Sequence, residues 1–315
     1  MADIAIVIVS WNCREYLRAC LHSVATNASH RTVHTIVVDN ASLDGTREMI
    51  GRDFAGVELL ANATNMGFAA ANNRALMGTS SQYVLLLNPD TELLPSALDS
   101  LASFMDRRPE VWAAGPTILN PDGSLQRTGV RFPTLWNLLV ESVFLDRLFP
   151  LSALFGAHRE LYKNPEDARK VDFVQGACLM IRRDDVVRSA GLLDEGFFMY
   201  FEETDWCYRI REGGGEVWIC PEARVIHHGG GEAGHYDEQR LLHYHRSMFR
   251  FFAKHNSPFV GVLARIIVLV RALMRIPVWL MIALMRPTIR SRALSSLLGY
   301  IKTIPLVVSK PLTYQ

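Results

Sequence analysis

The chain has 315 residues, 49% of them hydrophobic and 21% charged, with a formal net charge of +1. That length holds one large α/β domain plus an appendage, and a charge so near neutral provides no overall field to attract nucleic acid. The five cysteines (Cys13, Cys20, Cys178, Cys207 and Cys220) are an odd number without Cys-x-x-Cys spacing, which fits a reducing cytosol better than a disulfide framework. Met1-Ala2-Asp3 leads straight into an apolar run, so no secretory signal is expected.

The first ninety residues alternate strand and helix. Ile4–Val9 is an unbroken apolar run ending at Ser10-Trp11-Asn12, and Glu15–Ala25 has apolar residues at helical spacing. Thr35–Val38 delivers Asp39-Asn40, and Asp44 is the expected N-cap of the next helix. Val57–Leu60 precedes Asn65-Met66-Gly67-Phe68 and a small-residue helix, Ala69–Leu76. Tyr83–Leu87 then reads as a strand buried on both faces, stopped by Asn88-Pro89-Asp90. This βα repeat predicts a mostly parallel twisted sheet with helices on both faces. The polar loops that follow the strands gather at one edge, where open α/β sheets bind ligands. No Gly-x-Gly-x-x-Gly turn follows the first strand and no Walker-type loop occurs, so phosphate charge at that edge calls for a metal, and Asp90 is placed to hold one.

Beyond Pro95, Ser96–Arg107 reads as a helix, Val111–Ala114 as a strand, Asn120–Ser124 as a turn and Leu135–Leu148 as an apolar helix. Ser152–Arg169 has no periodicity. Phe173–Ile181 reads as one buried strand with Gly176 inside it, a place for close approach by a ligand or another backbone. Glu202, Glu203 and Asp205 follow an aromatic stretch and open a helix over Glu203–Arg211. Apolar surroundings there raise a carboxyl pKa and strengthen it as a base, and acids also suit a first helical turn. Val225-Ile226-His227-His228 is a strand ending in two histidines, with His227 the candidate metal ligand.

Eight stretches in order carry a family resemblance: Val-Ser-Trp-Asn (9–12), Val-Asp-Asn-Ala-Ser-x-Asp-Gly-Thr (38–46), Asn-x-Gly-Phe-Ala-x-Ala-Asn-Asn (65–73), Leu-Leu-Asn-Pro-Asp (86–90), Gly-Ser-Leu-Gln (123–126), Gly-Ala-Cys-Leu-Met-Ile-Arg-Arg (176–183), Phe-Met-Tyr-Phe-Glu-Glu-x-Asp (198–205) and Val-Ile-His-His-Gly-Gly (225–230). Over roughly its first three quarters the chain resembles inverting glycosyltransferases of family 2, in the rhamnosyltransferase-like branch that builds bacterial cell-surface polysaccharides. The resemblance implies a GT-A fold in which Asp39 bonds the pyrimidine base and Asp90 binds Mg²⁺ or Mn²⁺. His227 completes the metal site, with His228 the alternative. Asn65, Gly67 and Asn72 shape the donor pocket, joined by the edge residues Ser10, Asn12, Asn88 and Gly176. The family's Glu-Asp-x-Asp pattern puts Glu203 where the catalytic Asp stands, so Glu203 leads as base and Asp205 orients the acceptor or supports the base.

From Tyr236 the chain changes character. Asp237–His255 reads as an amphipathic helix whose histidines (His243, His245, His255) sit on a solvated face. Phe259–Met285 is strongly apolar but interrupted by Arg265, Arg271 and Arg275, which fall on one broad side with Arg286 and Arg290; Pro277 and Pro287 are expected to kink or break it. That pattern suits a helix lying on the inner face of the plasma membrane, drawn to anionic lipid. The alternative is a helical hairpin packed on the core or on a second copy.

The expected organisation is therefore a GT-A domain over 1–235 and a helical, membrane-surface region over 236–315. The expected activity is metal-dependent inverting transfer of a sugar from a nucleotide-sugar donor, dTDP-rhamnose first, to a lipid-linked or glycan acceptor. UDP-sugars such as the galactofuranose donor, and a non-catalytic sugar-nucleotide-binding relative, are the alternatives. A nucleotidyltransferase would need a Gly-rich, basic loop after the first strand, which Ser10–Glu15 does not supply.

Overall fold

The computed structural model describes residues 2–27, 29–126, 129–149, 151–152, 154–156, 166–229 and 238–309. The chain begins β1 (Ile4–Ser10), α1 (Arg14–Thr26), β2 (Val33–Asp39), α2 (Thr46–Asp53), β3 (Glu58–Ala61), α3 (Phe68–Gly78) and β4 (Tyr83–Leu87). It continues through β5 (Thr91–Leu93), α4 (Ala97–Asp106), β6 (Val111–Leu119), β7 (Gly129–Val130), α5 (Leu135–Ser142) and α6 (Leu145–Leu148). Then come β8 (Arg169–Lys170), β9 (Phe173–Val174), β10 (Cys178–Arg182), α7 (Arg183–Ala190), α8 (Glu202–Glu212) and β11 (Glu216–His227). Three long helices close it: α9 (Glu238–His255), α10 (Pro258–Met285) and, after a 3-10 turn at Pro287–Ile289, α11 (Arg290–Val308).

Two compact units result. The first comprises Met1–Phe132, Lys163–Glu195 and Glu202–Glu232; the second comprises Pro133–Tyr162, Gly196–Phe201 and Ala233–Gln315. The second unit thus draws on two earlier stretches besides the C-terminal one, and the expected 235/236 boundary lies outside the described residues.

In the first unit the main sheet has the order β3-β2-β1-β4-β10-β6-β11-β5, with β8 beside β11. β1, β2, β3 and β4 pair in parallel, as do β6 and β11, while β10 is antiparallel to β4 and β6. Alternation along β1 divides the core. Ile4, Ile6 and Ile8 pack with Leu17, Met49 and Leu101 on one face, and Ala5, Val7 and Val9 with Ala75, Trp206 and Ile210 on the other. Helices therefore cover both faces, and an apolar residue at every strand position is what that demands.

Several expectations are corrected in detail. Asp44 is not the N-cap of α2; that place belongs to Gly45 at φ 82°, while Asp44 accepts the Arg14 and Thr46 backbone N–H groups. The run 173–181 is two strands, with Gly176 in the break between β9 and β10. Leu135–Leu148 is interrupted at Phe144, whose φ is 62°. The stretch 152–169 lies largely outside the described residues.

In the second unit α10 packs against α5, α9 and α11. Ser257 caps α10, with Pro258 in its first turn, where a missing N–H costs nothing. Pro277 does not break this helix, which runs on to Met285. Its arginines do not form an outward face. Arg271 is buried and donates to Ser142 Oγ (2.9 Å) and Leu138 O (3.3 Å), and Arg265 Nη1 donates to Leu306 O and Val307 O (3.0 and 2.7 Å). The physical reason is that helix-end carbonyls at packed helix junctions need donors that water does not supply. The side left exposed is apolar: Phe259, Val262, Ile266, Val270, Leu273 and Leu280. His245 likewise leaves its expected solvated face. It is fully buried, its Nδ1 is 3.0 Å from Thr303 Oγ1, and burial, then Arg271 and Arg275, push its pKa down to about 3.

Candidate active site

The loops that end β1, β2 and β4 lie at one sheet edge because those strands are parallel. β10 runs the other way, so its beginning, at Gly176-Ala177, meets the end of β4: Asn88 N–H donates to Ala177 O at 2.9 Å. β11 ends at the same edge, pairing His227 with Thr91 of β5. Five strand ends therefore bring together residues far apart in sequence.

At the β1–β2 end, Ser10 and Asp39 are register partners and both are fully buried. Asp39 Oδ2 accepts from Arg47 Nε (2.5 Å) and from the Ser42 backbone N–H (3.2 Å), while Asp39 Oδ1 is buried with no hydrogen-bond partner among the described residues. A buried carboxylate oxygen left unmatched is costly, and it suits an incoming N–H donor. Arg47 was not singled out from the sequence; its signal is its place in the first turn of the helix after the Asp39 loop. Asn12, at φ 49°, does structural work: its backbone N–H donates to Ser42 Oγ (3.0 Å) and its Oδ1 accepts from Leu43 N–H (2.8 Å).

Asn65 Oδ1 accepts the Gly67 N–H at 2.9 Å, which turns the chain into α3, and Gly67 needs its hydrogen side chain at φ 81°. Asn72 donates to Phe68 O (2.9 Å) and is buried with Oδ1 unpartnered among the described residues. Asn88 contributes backbone, its carbonyl accepting from Thr91 Oγ1 (2.6 Å).

Asp90 Oδ1 lies 3.3 Å from His227 Nε2. The neighbouring His228 is engaged elsewhere, with Nε2 2.6 Å from Glu92 Oε1, so His227 is the imidazole that meets Asp90. Gln126 orients it. The Asn120–Ser124 turn brings Gln126 back beside β6, where its amide nitrogen donates to Asn120 Oδ1 (2.7 Å) and His227 O (2.6 Å). Its carbonyl Oε1 therefore faces His227 Nδ1 at 2.9 Å and must accept from it. With Nδ1 turned to Gln126, the ring presents Nε2 to a carboxylate oxygen. Two such donor atoms set face to face fit a divalent cation. Among the described residues no cluster of three or more His, Cys, Asp or Glu side chains forms a metal cage, so diphosphate and water would complete the shell, as is usual for Mg²⁺ sites.

Glu203 lies in the first turn of α8, which is preceded by two non-glycine residues in left-handed conformation, Tyr200 and Phe201, each at φ 68°. Its side chain packs on Gly176, where an added Cβ would stand 3.6 Å from Glu203 Cγ. Burial pushes the Glu203 carboxyl up to about 7, against the lowering effect of the Glu203, Thr204 and Gly176 backbone N–H groups. Glu202 is buried with Oε2 unpartnered among the described residues, and burial, then Glu203, raise its pKa too. Asp205 has no exposed surface and pairs with Arg209 Nε at 2.8 Å.

The strand order, with helices on both faces of a mostly parallel sheet, is that of a GT-A fold. Residues 5–187 match the model of glycosyl transferase family 2, and the chain belongs to that family, in its rhamnosyltransferase-like branch. It is a glycosyltransferase. The N-acetylglucosaminyl-diphospho-decaprenol L-rhamnosyltransferase of Mycobacterium tuberculosis is 29% identical over 269 residues, covering 82% of this chain and 86% of that one. The rhamnosyltransferase WbbL of Escherichia coli is 24% identical over 261 residues, covering 79% and 92%. Among solved structures, the mannosyltransferase PcManGT of Pyrobaculum calidifontis with GDP-Man and Mn²⁺ superposes with a TM-score of 0.56 at 14% identity, covering 97% of this chain and 86% of that one. GalNAc-T7 with UDP, GalNAc and Mn²⁺ gives 0.54 at 18% identity over 72% of this chain, which spans 43% of that longer one.

Proposed function

We propose that the enzyme moves rhamnose from dTDP-rhamnose to a hydroxyl of a lipid-linked glycan acceptor, in one inverting step, for cell-surface glycan synthesis. Asp39 Oδ1, held by Arg47 through the other carboxylate oxygen, accepts the pyrimidine N–H. Asp90 and His227 would hold Mg²⁺ or Mn²⁺, which when bound would supply charge neutralisation for the departing diphosphate. Glu203 takes the acceptor hydroxyl's proton as that oxygen bonds the anomeric carbon and the carbon–phosphate oxygen bond breaks on the opposite face. A base poised near neutral is well matched to that task. Asp205 fixes α8 through Arg209 and does not touch the acceptor. The observation that carries this reading is the 3.3 Å approach of His227 Nε2 to Asp90 Oδ1 at the edge where Glu203 is backed by Gly176.

The relative from Mycobacterium tuberculosis is named for a polyprenyl-diphosphate acceptor, and an acceptor of that kind lies at a lipid surface. The second unit supports such a location, on the cytoplasmic face of the membrane. α10 is long and apolar enough to cross a membrane by length and composition. With its arginines spent on neighbouring helices, the exposed apolar stripe rests on the lipid.

Nucleoside diphosphate release from a panel of sugar nucleotides, with and without Mn²⁺, tests the proposal. Mn²⁺-dependent release of dTDP from dTDP-rhamnose is expected. Pyrophosphate release, binding without turnover, or preference for a UDP-sugar would overturn it.

A further inference from the structure

The second unit contains a cavity of about 300 Å³. Among its ten lining residues are Arg147 of α6, Arg275 and Trp279 of α10, and Arg292, Ser296 and Tyr300 of α11; none of the ten is acidic. Arg275 is firmly oriented. It lies over the Phe144 ring (4.5 Å to the centroid), gives Nη1 to Tyr300 OH (3.0 Å) and Nη2 to Glu141 O (3.3 Å). Its Nε is nevertheless buried without a hydrogen-bond partner among the described residues, and so is the Oγ of Ser296, a residue only 5% exposed. The nearby Glu141 carboxylate pairs with Arg271 at 3.4 Å.

With three guanidinium groups and no carboxylate among its lining residues, the cavity is basic and suits an anion. The fixed planar guanidinium of Arg275, with its unspent N–H, and the buried Ser296 hydroxyl favour the oxygens of a phosphate over a simple halide. The same helix presents Leu280, Met281 and Leu284 on its exposed apolar side, which suits the hydrocarbon of the same ligand. A soluble anion would have no use for that surface. We propose that this cavity receives the phosphate or diphosphate head of a membrane lipid, with the chain of that lipid running along α10. This rests on the membrane-surface reading above and deepens it by naming the group recognised.

The test is co-sedimentation of the full chain with vesicles of phosphatidylcholine alone, with added phosphatidylglycerol, or with added polyprenyl diphosphate. Wild type is expected to bind all three, and more tightly where a phosphate-headed anionic lipid is present. The exposed-arginine variant R147Q/R292Q should lose roughly tenfold on the anionic vesicles and nothing on neutral ones, with an unchanged Tm. Ser296→Leu fills the cavity but keeps all three arginines, and should lose the same anionic preference. Preference for polyprenyl diphosphate would identify the acceptor lipid, and equal binding of both would identify bulk phospholipid; either supports the pocket. Competition by inorganic pyrophosphate as strong as that by the lipid would make the ligand a free anion and overturn the proposal. So would normal anionic preference in Ser296→Leu, which would reduce the effect to a diffuse field. Wild type that binds no vesicle at all would remove the membrane reading itself and the pocket with it, whereas binding without headgroup preference removes only the pocket.

Discussion

Gln126 and His227 are joined twice, by Oε1 to the ring Nδ1 at 2.9 Å and by Nε2 to the backbone carbonyl at 2.6 Å, although 101 residues separate them. The pair sets both the tautomer and the tilt of the imidazole that faces Asp90. A side chain outside the presumed ligand set thus decides which nitrogen is available.

Gln126→Leu should therefore weaken metal binding while leaving the ligands in place. Loss of a partner that orients a ligand typically costs 10–100-fold in metal affinity. Mn²⁺ binding in the presence of dTDP, followed by electron paramagnetic resonance, is expected to weaken about that much. Unchanged affinity would mean that Gln126 only braces the turn.

The raised Glu203 pKa makes two predictions of opposite sign. The base form accumulates as pH rises through about 7, so kcat/KM should climb across that range and then level off. Stability should move the other way. Between the ordinary 4.5 and about 7 the unfolded chain has lost this proton while the folded one keeps it, so folding weakens as pH rises through that window. Glu203→Gln should melt above wild type in mildly alkaline buffer, with the gap closing below the ordinary carboxylate range.

Asp205→Ala is expected to be a stability variant. Removing one partner from a buried ion pair leaves Arg209 uncompensated and costs roughly 3 kcal/mol or more. Thermal unfolding should show the loss, and the folded fraction should keep near-normal turnover. A normal Tm with abolished transfer would return Asp205 to the reaction.

The exposed stripe on α10 can be tested without dismantling the helical unit. Phe259, Ile266 and Leu273 are all exposed, so the triple change to Ser should leave Tm unaltered and move the protein from the membrane to the soluble fraction. Truncation after His255 is a poorer test, because it would uncover Phe249, on which Arg265 stacks at 4.7 Å. Membrane partitioning unchanged in the triple variant would contradict the lipid-surface reading.

Much of this architecture is legible in the sequence because buried parallel strands announce themselves as short apolar runs cut off by polar loops. Tyr83–Leu87 followed by Asn88-Pro89-Asp90 is the plainest case, and its observed bounds are the expected ones. What sequence spacing does not carry is the partner of each polar group. His227 and His228 are adjacent and chemically identical, and only the pairing of β5 with β11 sends one to Asp90 and the other to Glu92. Arg47 and Gln126 act through neighbours that only the folded loops bring close. The arginines of α10 misled for a related reason: helical periodicity tells which residues share a side, but not whether that side meets lipid or the carbonyl ends of other helices.

The most direct measurement is transfer and donor binding by Glu203→Gln, made side by side with wild type in Mn²⁺. The account predicts that dTDP-rhamnose binds with near-normal affinity while turnover falls by about 10²–10⁴. Turnover close to wild type in this variant would contradict it, since no other carboxylate at this edge has been given the proton.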